Sequence, residues 1–242
     1  HTTDPYRILV SECMLQQTTV SRVLPKYEQF TKVFPSVEVL AKASLGTVLR
    51  AWQGLGYNRR ARYLHEAARM ITEAGGQWPH DVSTLEALPG VGRYTARAVA
   101  AFAYNHPVIL IETNVRTVFI HHFFATKPAV SDAELEPLIT KTLPTHRSRE
   151  WYYALMDYGA YLKKTVGNES RRSRHYRIQA TFENSDRQIR GAIIRELVKA
   201  ASTTQRILTS LSGFPAERVL AQINILADEG LLRKRGTQLS LP

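Results

Sequence analysis

Leu88-Pro89-Gly90-Val91-Gly92-Arg93-Tyr94-Thr95 stands between two segments of helical character, residues 84–88 leading in and 95–102 leading out. Pro89 cannot continue a helix, and Gly90 and Gly92 reach backbone angles that other residues avoid. The stretch predicts two short helices joined by a tight, glycine-flanked hairpin. The second helix opens on backbone N–H groups without helical partners and on the positive end of its dipole, which suits an anion. Arg93 and Arg97 stand beside it, so a nucleic-acid phosphate is the natural anion. The same residues also make an ordinary turn between helices, and alone they do not separate the two readings.

Three further segments surround the hairpin in sequence. Ile111-Glu112-Thr113-Asn114-Val115-Arg116 comes after it, Ser11-Glu12-Cys13-Met14-Leu15-Gln16-Gln17-Thr18 lies far upstream, and Gly54-Leu55-Gly56-Tyr57 falls between. Glu12 sits in an apolar run that reads as a helix over 8–19. A carboxylate buried there is costly unless it is paired, hydrogen-bonded or working. Glu12 therefore either pairs with an arginine or serves as a general acid with a raised pKa. Gln16 and Gln17 carry amides that can read base edges, or are two surface glutamines. Leu55 and Tyr57, in a glycine-bounded turn, suit either a minor-groove wedge or core packing. Arg59, Arg60 and Arg62 open the next helix as a solvated or phosphate-contacting face.

In order and almost without gaps from Asp4 to about Leu162, these segments resemble the helix-hairpin-helix DNA glycosylases of the endonuclease III superfamily, most of all its MutY adenine glycosylase branch. The resemblance implies roles. Glu12 would protonate the leaving base or activate water, and Gln17, with Gln16 before it, would wedge beside the orphaned partner base. Leu55 and Tyr57 would hold the duplex open. Gly90, Val91, Gly92 and Arg93, with Tyr94 and Arg97, would grip a phosphate, and the hairpin could also hold a monovalent cation. Where the family reads Leu-Asp-Gly-Asn-Val, this chain reads Ile111-Glu112-Thr113-Asn114-Val115. An acid is retained one methylene longer, able to stabilise a cationic sugar but with altered reach. Asn114 would orient that acid or the sugar. Tyr94 stands where bifunctional members carry the lysine that forms a Schiff base, which implies a monofunctional enzyme. Tyr94 does not separate adenine from thymine as the target.

Beyond the hairpin the chain predicts helices over 20–34, 37–43, 45–55, 58–72, 82–88, 115–124, 131–143 and 149–162, after a loop over 1–7. Ser131 and Glu134 read as a capping box. Family members then continue into a four-cysteine iron–sulfur loop. Here Lys163 falls at the first cysteine's place and residues 163–174 are basic, so no iron–sulfur cluster and no metal site are expected, and the segment either tracks phosphates or is a solvated linker. Residues 184–242 read as three helices and a basic hairpin, resembling a winged helix-turn-helix. Arg218 and Gln222 on its third helix and Arg233 and Arg235 on its wing are candidate DNA contacts, and a protein-interaction module is the alternative.

The fold expected is mainly α: one helical module over 12–110, a second over 1–11 and 111–180, and a winged helix over 184–242. A net charge of +11 suits a polyanion. No apolar run spans a bilayer and no signal peptide is visible. Cys13 is the single cysteine. An intracellular monomer, cytoplasmic or on the nucleoid, is the simplest expectation. Its partner would be double-stranded DNA bearing a damaged or mismatched base. The reading is a monofunctional N-glycosylase of base excision repair, acting on adenine opposite 8-oxoguanine or guanine. The runner-up is a glycosylase for thymine or uracil opposite guanine, and the rival from another class is a catalytically inactive DNA-binding regulator.

Overall fold

The computed structural model describes residues 2–242; His1, which the expected second module includes, lies outside the described residues. Contacts divide the chain into two compact units. The first takes the chain as far as Ile8, then Pro79–Ala87 and Val91–Gln179; the second takes Leu9–Trp78, Leu88–Gly90 and Ala180–Pro242. This division differs from the expected modules at two places. Most of residues 79–110 group with the helices C-terminal to them, and the C-terminal segment groups with residues 9–78.

α1, Pro5–Leu15, begins in the first unit and ends in the second. It starts earlier than the apolar pattern of the sequence suggests. Asp4 accepts the Tyr6 N–H at 2.9 Å, and Pro5 brings a fixed φ and no N–H to the first turn, which is a helix-start signature. Tyr6 is buried, so the expected loop over 1–7 gives way to helix.

The second unit continues with α2 (Val20–Val33), α3 (Val37–Lys42), α4 (Leu45–Ala51) and α5 (Arg59–Glu73). Ser36 and Ser44 cap α3 and α4 through the Val39 and Thr47 N–H groups. The core is Phe30, Phe34, Leu40, Leu49, Trp52, Leu64 and Ile71, all buried. α4 stops at Ala51 rather than residue 55, because the chain turns through Gly54 and Gly56 at φ +94° and +69° and the Trp52 indole N–H donates to the Gly56 carbonyl at 3.1 Å.

The first unit holds α6 (Val82–Glu86), α7 (Arg93–Tyr104), α8 (Thr113–Phe123), α9 (Asp132–Thr142) and α10 (Ser148–Thr165), with a 3₁₀ turn over Glu169–Arg172. Asp81 caps α6 and Glu134 accepts from both Ser131 N–H and Ser131 Oγ–H at the start of α9. α7 is the buried helix, and its run Ala96, Ala98, Val99, Ala100, Ala101 and Ala103 keeps its neighbours close. Tyr152 of α10 pins the extended approach to α8: its hydroxyl donates to Val108 O at 2.7 Å and accepts from Leu110 N–H at 2.8 Å. α10 crosses α8 at Gly159, where a Cβ would lie 2.5 Å from the Asn114 carbonyl oxygen.

The C-terminal segment contains α11 (Asp186–Lys199), β1 (Ser202–Thr203), α12 (Thr204–Ser210), α13 (Ala216–Asp228), β2 (Arg233–Arg235) and β3 (Gln238–Ser240). The strands form one antiparallel sheet of order β1-β3-β2, with Leu239 opposite both Ser202 and Lys234. β1, two residues long, has no sequence signal. Ile189, Ile193, Leu197, Val219, Ile223, Leu226 and Leu239 form its core. The Arg62 guanidinium donates to the Glu229 carbonyl, and Gly46 N–H donates to the Pro242 carbonyl at 3.0 Å.

Two glycines give opposite expectations. Gly159→Ala is expected to lose about 1–3 kcal/mol in denaturant unfolding, because the new methyl meets backbone. Gly191→Ala, in α11 with nothing near the added Cβ, is expected to gain about 0.5–1 kcal/mol in the same measurement.

Candidate active site and nucleic-acid interface

The hairpin joins α6 to α7 as the sequence implies, with Gly92 as N-cap of α7. Gly90 has φ +71°, and a Cβ there would lie 2.5 Å from the Tyr63 Cβ, so only glycine fits. Val91 is buried and anchors the turn. Arg93 and Tyr94 are exposed on the first turn of α7, with Arg93 3.8 Å from Glu136. The Arg97 guanidinium donates to the Ile109 carbonyl at 3.0 Å and so braces the approach to Glu112.

Glu112 is the N-cap of α8. Asp, Asn, Ser and Thr are the usual caps. Here the longer side chain folds back so that Oε1 accepts the N–H groups of Asn114 at 2.6 Å and Val115 at 2.8 Å. The extra methylene relative to aspartate is absorbed in this loop. Both bonds fall on Oε1, so Oε2 is the oxygen left to face a cation. Burial pushes the carboxyl above its ordinary range, opposed by the two N–H donors and by the charges of Lys163 and Arg116. Arg116 itself is held by Asp132 at 2.7 and 2.8 Å.

Lys163 belongs to this site, although sequence reasoning placed it only in a basic run. Its Nζ donates to Asn114 Oδ1 at 2.6 Å, and burial lowers its pKa while Glu112 raises it. The one signal in the sequence was spacing: Gly159 lets α8 approach α10, and Lys163 is one turn further on the same face. The rest of the basic segment departs from its expected part in the same way. Thr113 Oγ donates to Ser170 Oγ at 3.2 Å, Ser170 is buried, and Arg172 donates to the carbonyls of Phe124, Ala125 and Lys127. Residues 163–174 are an ordered segment that holds the start of α8 through Lys163 and Ser170 and the chain at its end through Arg172, so it is neither a solvated linker nor, at Lys163 and Arg172, a phosphate track.

In the other unit, Arg60 ties the end of α1 to the turn over residues 54–57. Its Nη1 donates to the carbonyls of Cys13, Met14 and Gln16 at 2.7, 2.9 and 2.6 Å. Its Nη2 lies 3.2 Å from Thr18 Oγ1 and from the carbonyls of Leu55 and Gly56. Burial lowers its pKa to about 10, so it stays charged at neutral pH. Gln17 comes after α1 in the left-handed region at φ +55°, exposed. Tyr57 has φ +47°, and the guanidinium carbons of Arg60 and Arg187 are 5.3 and 5.6 Å from its ring centre. Leu55 is 3% exposed and packs in the core, which removes it as a wedge. Glu12 is partly buried on α1, and its charge adds to the burial that pushes the Cys13 thiol up to about 12.

The C-terminal candidates divide. Gln222 is buried and cannot read a base, and Arg218 is held by Asp186 Oδ1 at 2.6 Å and the Asn184 carbonyl at 3.0 Å. Arg233 and Arg235 are exposed on β2. A four-cysteine iron–sulfur cluster does not fit this chain, whose single Cys13 is buried in α1 with its thiol protonated. Among the described residues no group of His, Cys, Asp and Glu is placed to hold a metal, and no helix is long and apolar enough to cross a membrane.

Residues 10–143 match the HhH-GPD superfamily of base excision DNA repair proteins. The chain belongs to this superfamily. An adenine DNA glycosylase of Mycolicibacterium smegmatis is 36% identical across 92% of the chain and 83% of its own length. One from Mycobacterium tuberculosis is 45% identical across 64% of the chain, which spans about half (53%) of that relative. Among solved structures, a thermostable thymine-DNA glycosylase has a TM-score of 0.59 at 26% identity, covering 70% of this chain and 80% of that one. A trapped endonuclease III–DNA intermediate has a TM-score of 0.58 at 23% identity, covering 66% and 78%, a likeness of fold alone. This HhH-GPD chain is a DNA glycosylase, a DNA-binding hydrolase of N-glycosyl bonds, with a mainly helical fold.

The Glu112 cap generates two predictions. Because its pKa is raised, ionised Glu112 costs stability, a cost absent below the ordinary carboxylate range and growing as pH rises through it. Glu112→Gln keeps the acceptor oxygen, so its melting temperature is expected to exceed the parent's by a margin that widens from about pH 4 to about pH 7, while single-turnover base release falls about 10²–10³-fold. Lys163→Met removes the cation beside Glu112, and the acid limb of the base-release pH profile is expected to move to higher pH; an unmoved limb would show that Lys163 acts on Asn114 alone.

Proposed function

We propose that this glycosylase hydrolyses the bond between adenine N9 and deoxyribose C1′ at sites where adenine lies opposite 8-oxoguanine or guanine. The observation that carries the choice of base is the M. smegmatis adenine DNA glycosylase, matched across 92% of the chain. The residues fit the chemistry. Glu12 delivers a proton to the departing adenine, and the bond to C1′ breaks with its electrons going to the base. The oxocarbenium-like sugar that remains faces Glu112, whose carboxylate is fixed by two N–H groups before the charge develops. Water then adds at C1′ and its proton returns to an acid–base group. Tyr94 offers no amine for a Schiff base, so the product is an abasic site with an intact strand. Gln17 and Tyr57, both held at positive φ, keep the duplex open.

We also read residues 184–242 as a winged helix, on the order helix, strand, helix, helix, hairpin, with Arg233 and Arg235 toward DNA. The working form is an intracellular monomer on double-stranded DNA. The second reading, thymine or uracil opposite guanine, draws on the 26% likeness to a thymine-DNA glycosylase.

The test is single-turnover base release from duplexes carrying adenine opposite 8-oxoguanine, adenine opposite guanine, and thymine and uracil opposite guanine, each with Glu12→Gln alongside. Adenine release that Glu12→Gln abolishes is expected. Selective pyrimidine release would replace the first reading by the second. Tight binding without any release would favour an inactive DNA-binding protein.

A further inference from the structure

A cleft of about 380 Å³ opens within the second unit, lined by Gln16 and Gln17 after α1, Gly56 and Tyr57 of the turn, Arg59 and Arg60 of α5, Arg187 and Arg190 of α11, and Glu229. The charges on its wall are unequal to one another. Arg60 is committed to backbone carbonyls. Arg187 donates to neutral oxygens only: Tyr57 Oη at 2.6 Å and the Ala180 and Thr181 carbonyls. Arg59 bonds Tyr63 Oη at 2.7 Å and lies 3.9 Å from the carboxylate of Glu229, which Arg190 also binds. Of the three guanidiniums, Arg59 and Arg190 thus share the one carboxylate and Arg187 meets none, in a chain of net charge +11. A second observation points to use of the cleft: Gln17 and Tyr57, two non-glycine residues held at positive φ, both line it, and strain of that kind collects at functional sites.

We propose that Arg59, Arg187 and Arg190 form a binding site for a phosphodiester of the DNA backbone, and that Glu229 occupies this site in the free protein as a built-in stand-in for the phosphate. A carboxylate and a phosphate present the same paired oxygens to a guanidinium fork. When DNA arrives, a phosphate replaces Glu229 between the arginines. Arg187 then ties that phosphate to Tyr57, so the strand held by the C-terminal segment is placed beside the loop that bears Gln17.

The proposal rests on the family's binding of DNA and not on which base is released, so it is tested with an undamaged duplex. Affinity is measured by fluorescence anisotropy from about 50 to 200 mM salt. Arg59→Ala and Arg187→Ala are each expected to weaken binding several-fold and to lower the slope of log affinity against log salt by about 0.9, the mark of one lost phosphate contact. Glu229→Gln, which keeps the shape and the bond from Arg62 to its carbonyl, is expected to bind several-fold tighter than the parent. A folded Glu229→Gln that binds no tighter, or slopes unchanged in both arginine variants, overturns the proposal. Should Glu229→Gln fail to fold, the two slopes decide. Failure here leaves the adenine reading standing, and failure of the base-release panel leaves these slopes to be measured as before.

Discussion

The end of α1 and the glycine-bounded turn after α4 hang on a single half-buried cation. The end of α1 and the turn over residues 54–57 are far apart in sequence and neither is regular structure. Each turns carbonyl oxygens out of helical bonding, and at a helix C-terminus these carry the negative end of the dipole. Arg60 answers both sets at once, with donors aimed at Cys13, Met14, Gln16, Leu55 and Gly56. A guanidinium suits this task because its planar donors can serve several acceptors in fixed directions and it keeps its charge when buried. Lysine would satisfy fewer carbonyls and would lose its proton more readily. Because Gln17 and Tyr57 adjoin the bonded carbonyls, their left-handed backbones are held by the same group.

A comparable economy governs Glu112, the acid proposed to meet the cationic sugar. Such a carboxylate is useful only if it stays ionised and does not move. Burial works against ionisation at Glu112, and the N-terminus of α8 together with Lys163 works for it. The site therefore depends on how closely α8 and α10 can meet, since Lys163 comes from α10. Gly159 sets that distance. A residue with no side chain thus controls the charge balance at the acid, through a backbone contact to Asn114.

The hairpin and the start and end of most helices were legible because they are written locally, in Pro, Gly, Asp and Ser at fixed offsets, whereas the acid at 112 was legible only through the family resemblance. Position 163 shows where legibility stops. The loss of the cysteines could be read, but what replaced them could not, since Lys163 meets a residue 49 positions away and only the fold brings them together. Arg60 and Arg97 were illegible for a related reason. An arginine in a basic run looks the same whether it faces a phosphate or a buried carbonyl, and the acceptors that decide are in other segments. Leu55 and Gln222 show the converse: types suited to contact DNA were taken by the core because their neighbours closed over them. At the N-terminus the helix start is itself written locally, in Asp4-Pro5.

The C-terminal segment gains a different meaning from these corrections. On its third helix the two residues expected to read bases are taken, Gln222 by burial and Arg218 by Asp186. What it offers instead is α11, whose Arg187 reaches Tyr57 in the same turn that Arg60 holds. The ring of Tyr57 lies near two cations, one fixed by backbone carbonyls and one bonded to uncharged oxygens. The fixed cation can only hold the ring; the other can exchange its partners for a phosphate while remaining beside it. Charge in this protein is therefore best understood by what each arginine already bonds, and not by the net excess that first suggested DNA.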